Sequence, residues 1–452
     1  MRVQITRKMK RLVITHCIVF CCLSSVPVGA QETNAVLLTL KQAIETALAQ
    51  NPDAAAARWN SVAVAAAGDT ARARRLPAVK LRGSYDYLSE EQRLFPATAN
   101  GEPGVFGSDL FAADVVISMP LYTGGRITSA ITASELLRQA AEGELARTRE
   151  TVVFNVTSLF YNMLAQREVI GSFESAVNAT KEHRRSIEDQ VAAQKAAQVD
   201  LLRAEVRLAE LQEKLTRERN TLTIQRWALA ALLGSQTAEA PDIAGTLKLT
   251  LPPECPDSSV CMRTALAQRN DYAAALQQAE AQAEAVKGAR AGHLPTVSAQ
   301  ASYGERWMEQ ISDRPAGTDR SQEIARIGLV AEFPLFEGGA IRAQVREQTA
   351  RHFIRQEQVR KLELQIRTDV ETALADITSA RERVATTSKA VEQARESFRI
   401  IREKYDLGKG AIVDVLDAQA ALVLAETTYA RALADLAVSD ARRKLATGTL
   451  IL

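Results

Sequence analysis

The chain has 452 residues and carries 56 Lys and Arg against 54 Asp and Glu, a formal charge of +2. So balanced a charge argues against nucleic acid as a partner. His183, His293 and His352 stand alone, without His or Cys at ligand spacing, so no metal or cofactor motif is read; no Ser-His-acid arrangement or glycine-rich nucleotide loop appears either.

Residues 1–30 read as a secretory signal peptide. Arg2, Arg7, Lys8, Lys10 and Arg11 form a basic stretch, Leu12 to Leu23 a short apolar one, and Val28-Gly29-Ala30 a small-residue cleavage site. The apolar run is shorter than the roughly 20 residues that a membrane-spanning helix needs. Cys21 and Cys22 raise a lipoprotein alternative, against which Phe20 and Cys21 occupy positions that should be small. Without the leader, 51 basic residues face 54 acidic ones and the formal charge is −3. Only Cys255 and Cys261 then remain, and an oxidising compartment favours a short local disulfide between them over two unpaired thiols. No other run is apolar and long enough for a transmembrane helix, so membrane insertion would have to use strands.

In chain order, an Ala-rich helix is predicted from about Leu40 to Arg75, stopped by Pro77, since proline disfavours helix in the residue before it. The period then becomes two: Val79, Leu81, Gly83, Tyr85 and Tyr87 share one face, and Lys80, Arg82, Ser84 and Asp86 the other. After a polar loop, Phe111, Ala113, Val115, Ile117 and Met119 alternate with Asp114 and Ser118. Gly124-Gly125 opens a proline-free helix to about Ala196, roughly 70 residues or about 105 Å at 1.5 Å per residue. A turn and a returning helix, Val199 to about Leu233, complete the unit.

The pattern then returns. Pro120-Leu121-Tyr122-Thr123-Gly124-Gly125 recurs as Pro334-Leu335-Phe336-Glu337-Gly338-Gly339, offset by 214, and Val199-Asp200-Leu201-Leu202 as Val413-Asp414-Val415-Leu416 at the same offset. Upstream the offset is 218, as Leu76-Pro77-Ala78-Val79 recurs as Leu294-Pro295-Thr296-Val297. One unit has been duplicated. The layout is a signal peptide at 1–30, a first repeat at 31–234, a proline-bearing linker at 235–261 and a second repeat at 262–452. In the second repeat the first helix is predicted from about Met262 to Gly292. The strands place Val297, Ala299, Ala301 and Tyr303, then Ile327, Leu329, Ala331 and Phe333, on one face. The last helix shows a heptad in Val415, Leu422, Tyr429 and Leu436, with Ala418, Ala425, Ala432 and Ser439 between.

Four strands of about ten residues suit a tilted crossing of a bilayer. Each hairpin, flanked by helices, reads as an isolated pair that would be marginal in water. Four strands cannot close a barrel, for which about eight is the minimum, and open edges in lipid cost several kcal/mol per unpaired group. The chain is therefore expected to oligomerise, three copies giving twelve strands and an aqueous lumen.

The paired repeats, the Leu-Pro before the strands, the Pro-Leu-aromatic-x-Gly-Gly elements and the stretch from Tyr405-Asp406-Leu407-Gly408-Lys409-Gly410 to Asp414-Val415-Leu416-Asp417-Ala418-Gln419 resemble the TolC-like outer membrane efflux proteins over the whole mature chain. The resemblance implies a fold class of α+β membrane protein: a homotrimer in outer membrane lipid, with a twelve-stranded β-barrel and a long periplasmic α-helical barrel of coiled-coil hairpins. It also implies an exit duct for efflux or type I secretion, docked to a periplasmic adaptor and an inner-membrane pump, with no cofactor. A soluble periplasmic coiled-coil scaffold or adaptor is the competing reading. An adaptor would show one helical hairpin between all-β segments.

Asp414 and Asp417, three apart at a helix start, share a face. Capping and dipole compensation account for one acid there. The first repeat keeps Asp200 in place of Asp414 but has Arg203 in place of Asp417, so the second acid is particular to one repeat. The resemblance makes Asp414 and Asp417 the carboxylate rings of the pore constriction, Tyr405 and Asp200 a gate latch, and Gly408, Lys409 and Gly410 an adaptor-docking tip. The family often has an arginine where this chain has Gly410.

Overall fold

The computed structural model describes residues 37–95, 105–235, 241–248, 251–252, 257–308, 311–313 and 321–450. The expected leader, Cys255 and most of both strand-connecting loops lie outside these residues. The described chain belongs to one compact unit, Leu37–Leu452.

The first helix is broken in two where the sequence predicts one: α1 is Leu40–Gln50 and α2 is Pro52–Ala73. Asn51 causes the break. Its side-chain oxygen accepts from the Asp53 and Ala54 amides at 2.9 and 3.2 Å, and its Nδ2 donates to the Leu232 carbonyl at 2.9 Å. Pro52 then opens α2, where a missing N–H costs nothing. The second repeat breaks at the matching place, between α5 (Ser258–Gln268) and α6 (Asn270–Arg290), against the single predicted helix. No proline marks it. Arg269 does the work, 3% exposed and paired to Asp271 at 2.7 Å and Asp369 at 2.9 Å. From the long helix of the first repeat, residues 126–192, Arg147 reaches Asp271 at 3.5 Å and Glu150 accepts from Asn270 at 2.7 Å.

The strands are longer than predicted: β1 Ala78–Phe95, β2 Val105–Tyr122, β3 Thr296–Trp307 and β5 Ser321–Glu332, with the short β4 Ile311–Asp313 beside β2. The hairpins are not isolated. β2 pairs antiparallel with β3, giving one sheet in the order β1-β2-β3-β5. Joining removes one open edge from each hairpin, a gain that the sequence of either hairpin alone does not reveal.

Register aligns Val79, Ile117, Ala301 and Ile327 across the sheet, and next to them Leu81, Val115, Tyr303 and Ala325. This apolar face is bare: Leu81 is 80% exposed, Ile327 88% and Leu329 71%. At its far end Tyr85, Phe111 and Trp307 form a row with ring centroids 4.6 and 5.7 Å apart. The other face carries Lys80, Ser118, Gln300, Ser302 and Arg326. Gly304 is required there, because a Cβ would lie 2.3 Å from the Asp114 Oδ1 of β2.

Both long helices, α3 (Arg126–Ala192) and α7 (Ala340–Asp406), start at a Gly-Gly pair with positive φ, 62° and 91° in one, 62° and 86° in the other. Two consecutive left-handed residues turn strand into helix, which explains why both copies keep the pair. Each runs 67 residues, about 100 Å, and returns as α4 (Gln198–Leu232) or α8 (Ile412–Thr447). The largest core joins Val156, Phe160 and Met163 of α3 to Leu211, Leu222 and Leu229 of α4, closed from outside by Ile243 of the linker. Cys261, buried on α5, is in a disulfide.

The predicted heptad of α8 is only half the seam. Val415, Ala418, Ala432 and Leu436 are buried, but so are Ile412, Leu416, Gln419, Val423, Thr427 and Ala430. α8 packs on both α7 and α3, and a helix with two neighbours needs two stripes. No described helix is long and apolar enough to cross a membrane.

Arginine at Ile117 or Leu329 should cost about 2–4 kcal/mol of membrane assembly if near the bilayer midplane, whereas Arg at Ser302 on the polar face should be tolerated; folding yield into liposomes decides, and equal losses on both faces refute the assignment of faces. Arg269→Met should cost about 3–5 kcal/mol in denaturant unfolding, since it strands the Asp271 and Asp369 carboxylates. Burial alone would raise the Asp271 carboxyl, but hydrogen bonding by Arg269 and the charges of Arg147 and Arg269 hold it below its usual range. Its contribution is therefore complete above the unfolded value near about 4 and lost as pH falls below it; the stability difference between wild type and variant should narrow in that acid range.

Candidate functional site

The site lies where the two long hairpins turn. α7 ends at Asp406, and Gly408 takes φ +72° to close the helix. The Gly408 amide donates to the Tyr405 carbonyl and the Lys409 amide to the Lys404 carbonyl, both at 2.8 Å, a left-handed C-terminal closure. Gly410 folds back against the last helical turn, where a Cβ would lie 3.3 Å from the Tyr405 nitrogen. The first hairpin makes the same turn with Gln194 at the place of Gly408. It has φ +59° and is the only non-glycine residue with positive φ among the described residues.

α8 starts without a side-chain cap, because its N-cap residue is Ala411. Asp414 sits in the first turn and Asp417 one turn on, both exposed. Ile412, Val415, Leu416, Ala418 and Gln419 are buried, so both carboxylates project away from the packed seam. Neither makes a hydrogen bond or ion pair with a described residue. The first repeat differs: Asp200 pairs with Arg203 at 3.6 Å. Asp417 and Arg203 line a shared groove of about 500 Å³ between α4 and α8, floored by Val199, Leu202 and Val206.

Tyr405 is half-buried and packs on the cluster of Ile187, Ala204, Val415 and Leu416, where the two hairpins meet. Burial, then the Asp200 and Asp406 carboxylates, push its phenol above the usual value, opposed by a hydrogen bond from Gln190. Tyr405 and Asp200 are thus brought within electrostatic reach of each other, while Asp200 has Arg203 as its ion partner and the phenol is bonded to Gln190.

One feature of this joint was not singled out from the sequence, and a second, His183, was read there only as lacking partners at metal-ligand spacing. Thr180 of α3 donates to Gln419 of α8 at 3.1 Å, and Gln419 donates to the Ala176 carbonyl at 2.9 Å, both inside the buried seam. The single glutamine of α8, in an otherwise mostly small and apolar stripe, was the available signal. One turn along α3, His183 is buried with its Nε2 unbonded. Burial, then the Arg402 charge, lower its pKa, against smaller opposing effects of Asp406 and Glu182. No group of three metal-ligating side chains gathers among the described residues.

The family model for outer membrane efflux proteins matches the chain twice, at residues 43–235 and 261–449. The outer membrane protein TolC of Escherichia coli is 27% identical over 173 residues, 37% of this chain and 35% of that protein. The chain thus aligns with only about a third of that relative's length. The Vibrio cholerae TolC is 23% identical over 393 residues, 84% of each chain. Among solved structures, the CmeC outer membrane channel of Campylobacter jejuni superposes with a TM-score of 0.77 at 19% identity, covering 91% of this chain and 85% of that one. The fold is the one these channels share, a four-strand antiparallel path in one sheet continued by two long helical hairpins in each chain. The chain belongs to the outer membrane efflux protein family.

Proposed function

We propose that this channel is the passive exit duct of a tripartite efflux or type I secretion system. Its substrate is delivered by an inner-membrane pump through a periplasmic adaptor that docks at the tip formed by Gly408, Lys409 and Gly410. Asp414 and Asp417 form the constriction, as two stacked rings of three carboxylates in the trimer. One observation carries this reading: both carboxylates are exposed, unpartnered among the described residues and turned away from the buried seam, at the end of α8 farthest from the sheet. An acid kept only for its helix would be as well served by the ion-paired arrangement of Asp200 and Arg203 in the first repeat. The bare apolar face of the sheet weighs against a soluble scaffold.

Narrow carboxylate rings concentrate cations and repel anions. Replacing both aspartates by Ala should lower cation selectivity in planar bilayers and weaken block by multivalent cations. The trimer should persist, since the first-turn acid contributes only about 0.3–1 kcal/mol to its helix. Unchanged selectivity together with unchanged block would reduce the pair to helix-terminal acids.

Opening requires the α7–α8 hairpin to move against α3, and His183 lies in that joint. Its folded pKa is lowered, so the unfolded or opened state binds the proton better, and joint stability is lost as pH falls below the unfolded value near about 6.5. Hydrogen exchange in α3 and α8, corrected for intrinsic rates, should accelerate between pH 7.5 and 5.5. His183→Leu should abolish that acceleration; an unchanged pH dependence in the variant would exclude His183 as its source.

A further inference from the structure

The groove of about 500 Å³ between α4 and α8 has an apolar floor and one uncancelled charge. Val199, Leu202 and Val206 stand three and four residues apart, so they form one stripe on α4. They are 49%, 52% and 60% exposed, and Val413 and Leu416 of α8 continue the apolar lining. The charged residues of the groove are Arg203, Arg207, Glu210 and Asp417. Both arginines are already matched: Arg203 pairs with Asp200 at 3.6 Å and Arg207 with Glu210 at 2.9 Å. Neither forms an ion pair with Asp417, which has no partner among the described residues. Two matched pairs and one free carboxylate leave a single negative charge uncancelled.

The two walls are the same positions of the two repeats. At the offset of 214, Val199, Leu202 and Arg203 of α4 become Val413, Leu416 and Asp417 of α8. The hairpins thus turn equivalent faces toward each other, and one exchanged charge tells the walls apart. Asp200 satisfies Arg203 three residues away. Asp414, at the same place in α8, has the same sign as Asp417 and cannot satisfy it.

We propose that this groove binds a small amphipathic organic cation, its apolar part on Val199, Leu202 and Val206 and its charge at Asp417. This rests on the reading of Asp417 as a pore-facing acid and adds a ligand to it. Sites for small molecules run from about 300 to 1,000 Å³, mostly apolar with a few placed polar groups, and the groove falls in that range. Charge then selects among ligands. An anion would meet Asp417 and could gain an arginine only by breaking an existing ion pair. A neutral apolar ligand would desolvate the carboxylate without compensating it. A bare inorganic cation would satisfy Asp417 and leave the apolar floor in water. A second copy of this chain seated here would bury Asp417, which an unpaired carboxylate resists. A ligand with both an apolar body and a positive charge gains from both walls.

Thiol protection in the purified native protein tests the site. Val206→Cys should react with N-ethylmaleimide, a neutral reagent, and tetrabutylammonium should slow that reaction. Tetramethylammonium has the same charge and far less apolar surface, so it should need at least about tenfold more for equal protection. In the Val206→Cys background, Asp417→Asn and Leu202→Ser should each raise the tetrabutylammonium concentration required, whereas Leu202→Met should not. A thiol that reacts only after unfolding would show the groove covered by another chain and overturn the proposal. Equal protection by the two cations, or protection unchanged by Asp417→Asn, would overturn it as well. The constriction is judged separately, by the ion selectivity of the double Ala variant. Protection that depends on Asp417 alongside unchanged selectivity keeps the groove and removes the constriction; the opposite pair of results removes the groove and keeps the constriction.

Discussion

Backbone hydrogen bonding in a place without water is the constraint on which the rest depends. Among the described residues, the sheet of this chain ends in two strands whose outer edges have no partner, and its apolar face has no cover. In water such a sheet would aggregate; in lipid each unpaired group costs several kcal/mol. Both problems have one solution, a closed barrel made with other copies and surrounded by hydrocarbon. The polar residues of the second face then line the lumen, and the strand ends fix where the long helices leave the membrane.

Those helices follow from the same geometry. A 67-residue helix cannot fold back on a compact core, so it is stable only where another helix runs alongside. The Gly-Gly turns launch α3 and α7 from adjacent strands of one sheet, and α4 and α8 return along them. The broken helices α1–α2 and α5–α6 pack along α3 and α7. Their breaks are set by Asn51 and by Arg269, two chemically different ways of ending a helix at the same place in the repeat.

The duplication is most informative where it fails. Gly408 and Gln194 make the same left-handed turn, but only one of them does so without steric penalty. Asp417 has become Arg203 in the other repeat, where it neutralises Asp200. Polar Gln139 and Gln277 join the two halves internally, while their counterparts Phe353 and Trp59 stand bare on the flanks. These differences make the two halves of the chain unequal, with the exposed acids on one hairpin only.

The sequence by itself determined the duplication, the alternation of the strands, the lengths of the long helices and the Gly-Gly turns, because each is a local periodicity or a local demand on φ. It also placed Asp414 and Asp417 on one face, since residues three apart on a helix must share it. Only the tertiary structure decided that β2 meets β3, that helices break at residues 51 and 269, and that α8 buries two stripes. Each of these depends on partners a hundred or more residues away. The Leu232 carbonyl that receives Asn51, the Asp369 that neutralises buried Arg269, and the Ala176 carbonyl that receives Gln419 leave no trace in their partners' own neighbourhoods. The same holds for Tyr405, whose surroundings of Gln190, Asp200 and Asp406 come from two hairpins. The burial that lowers the pKa of His183 exists only once α3 has packed against the second hairpin.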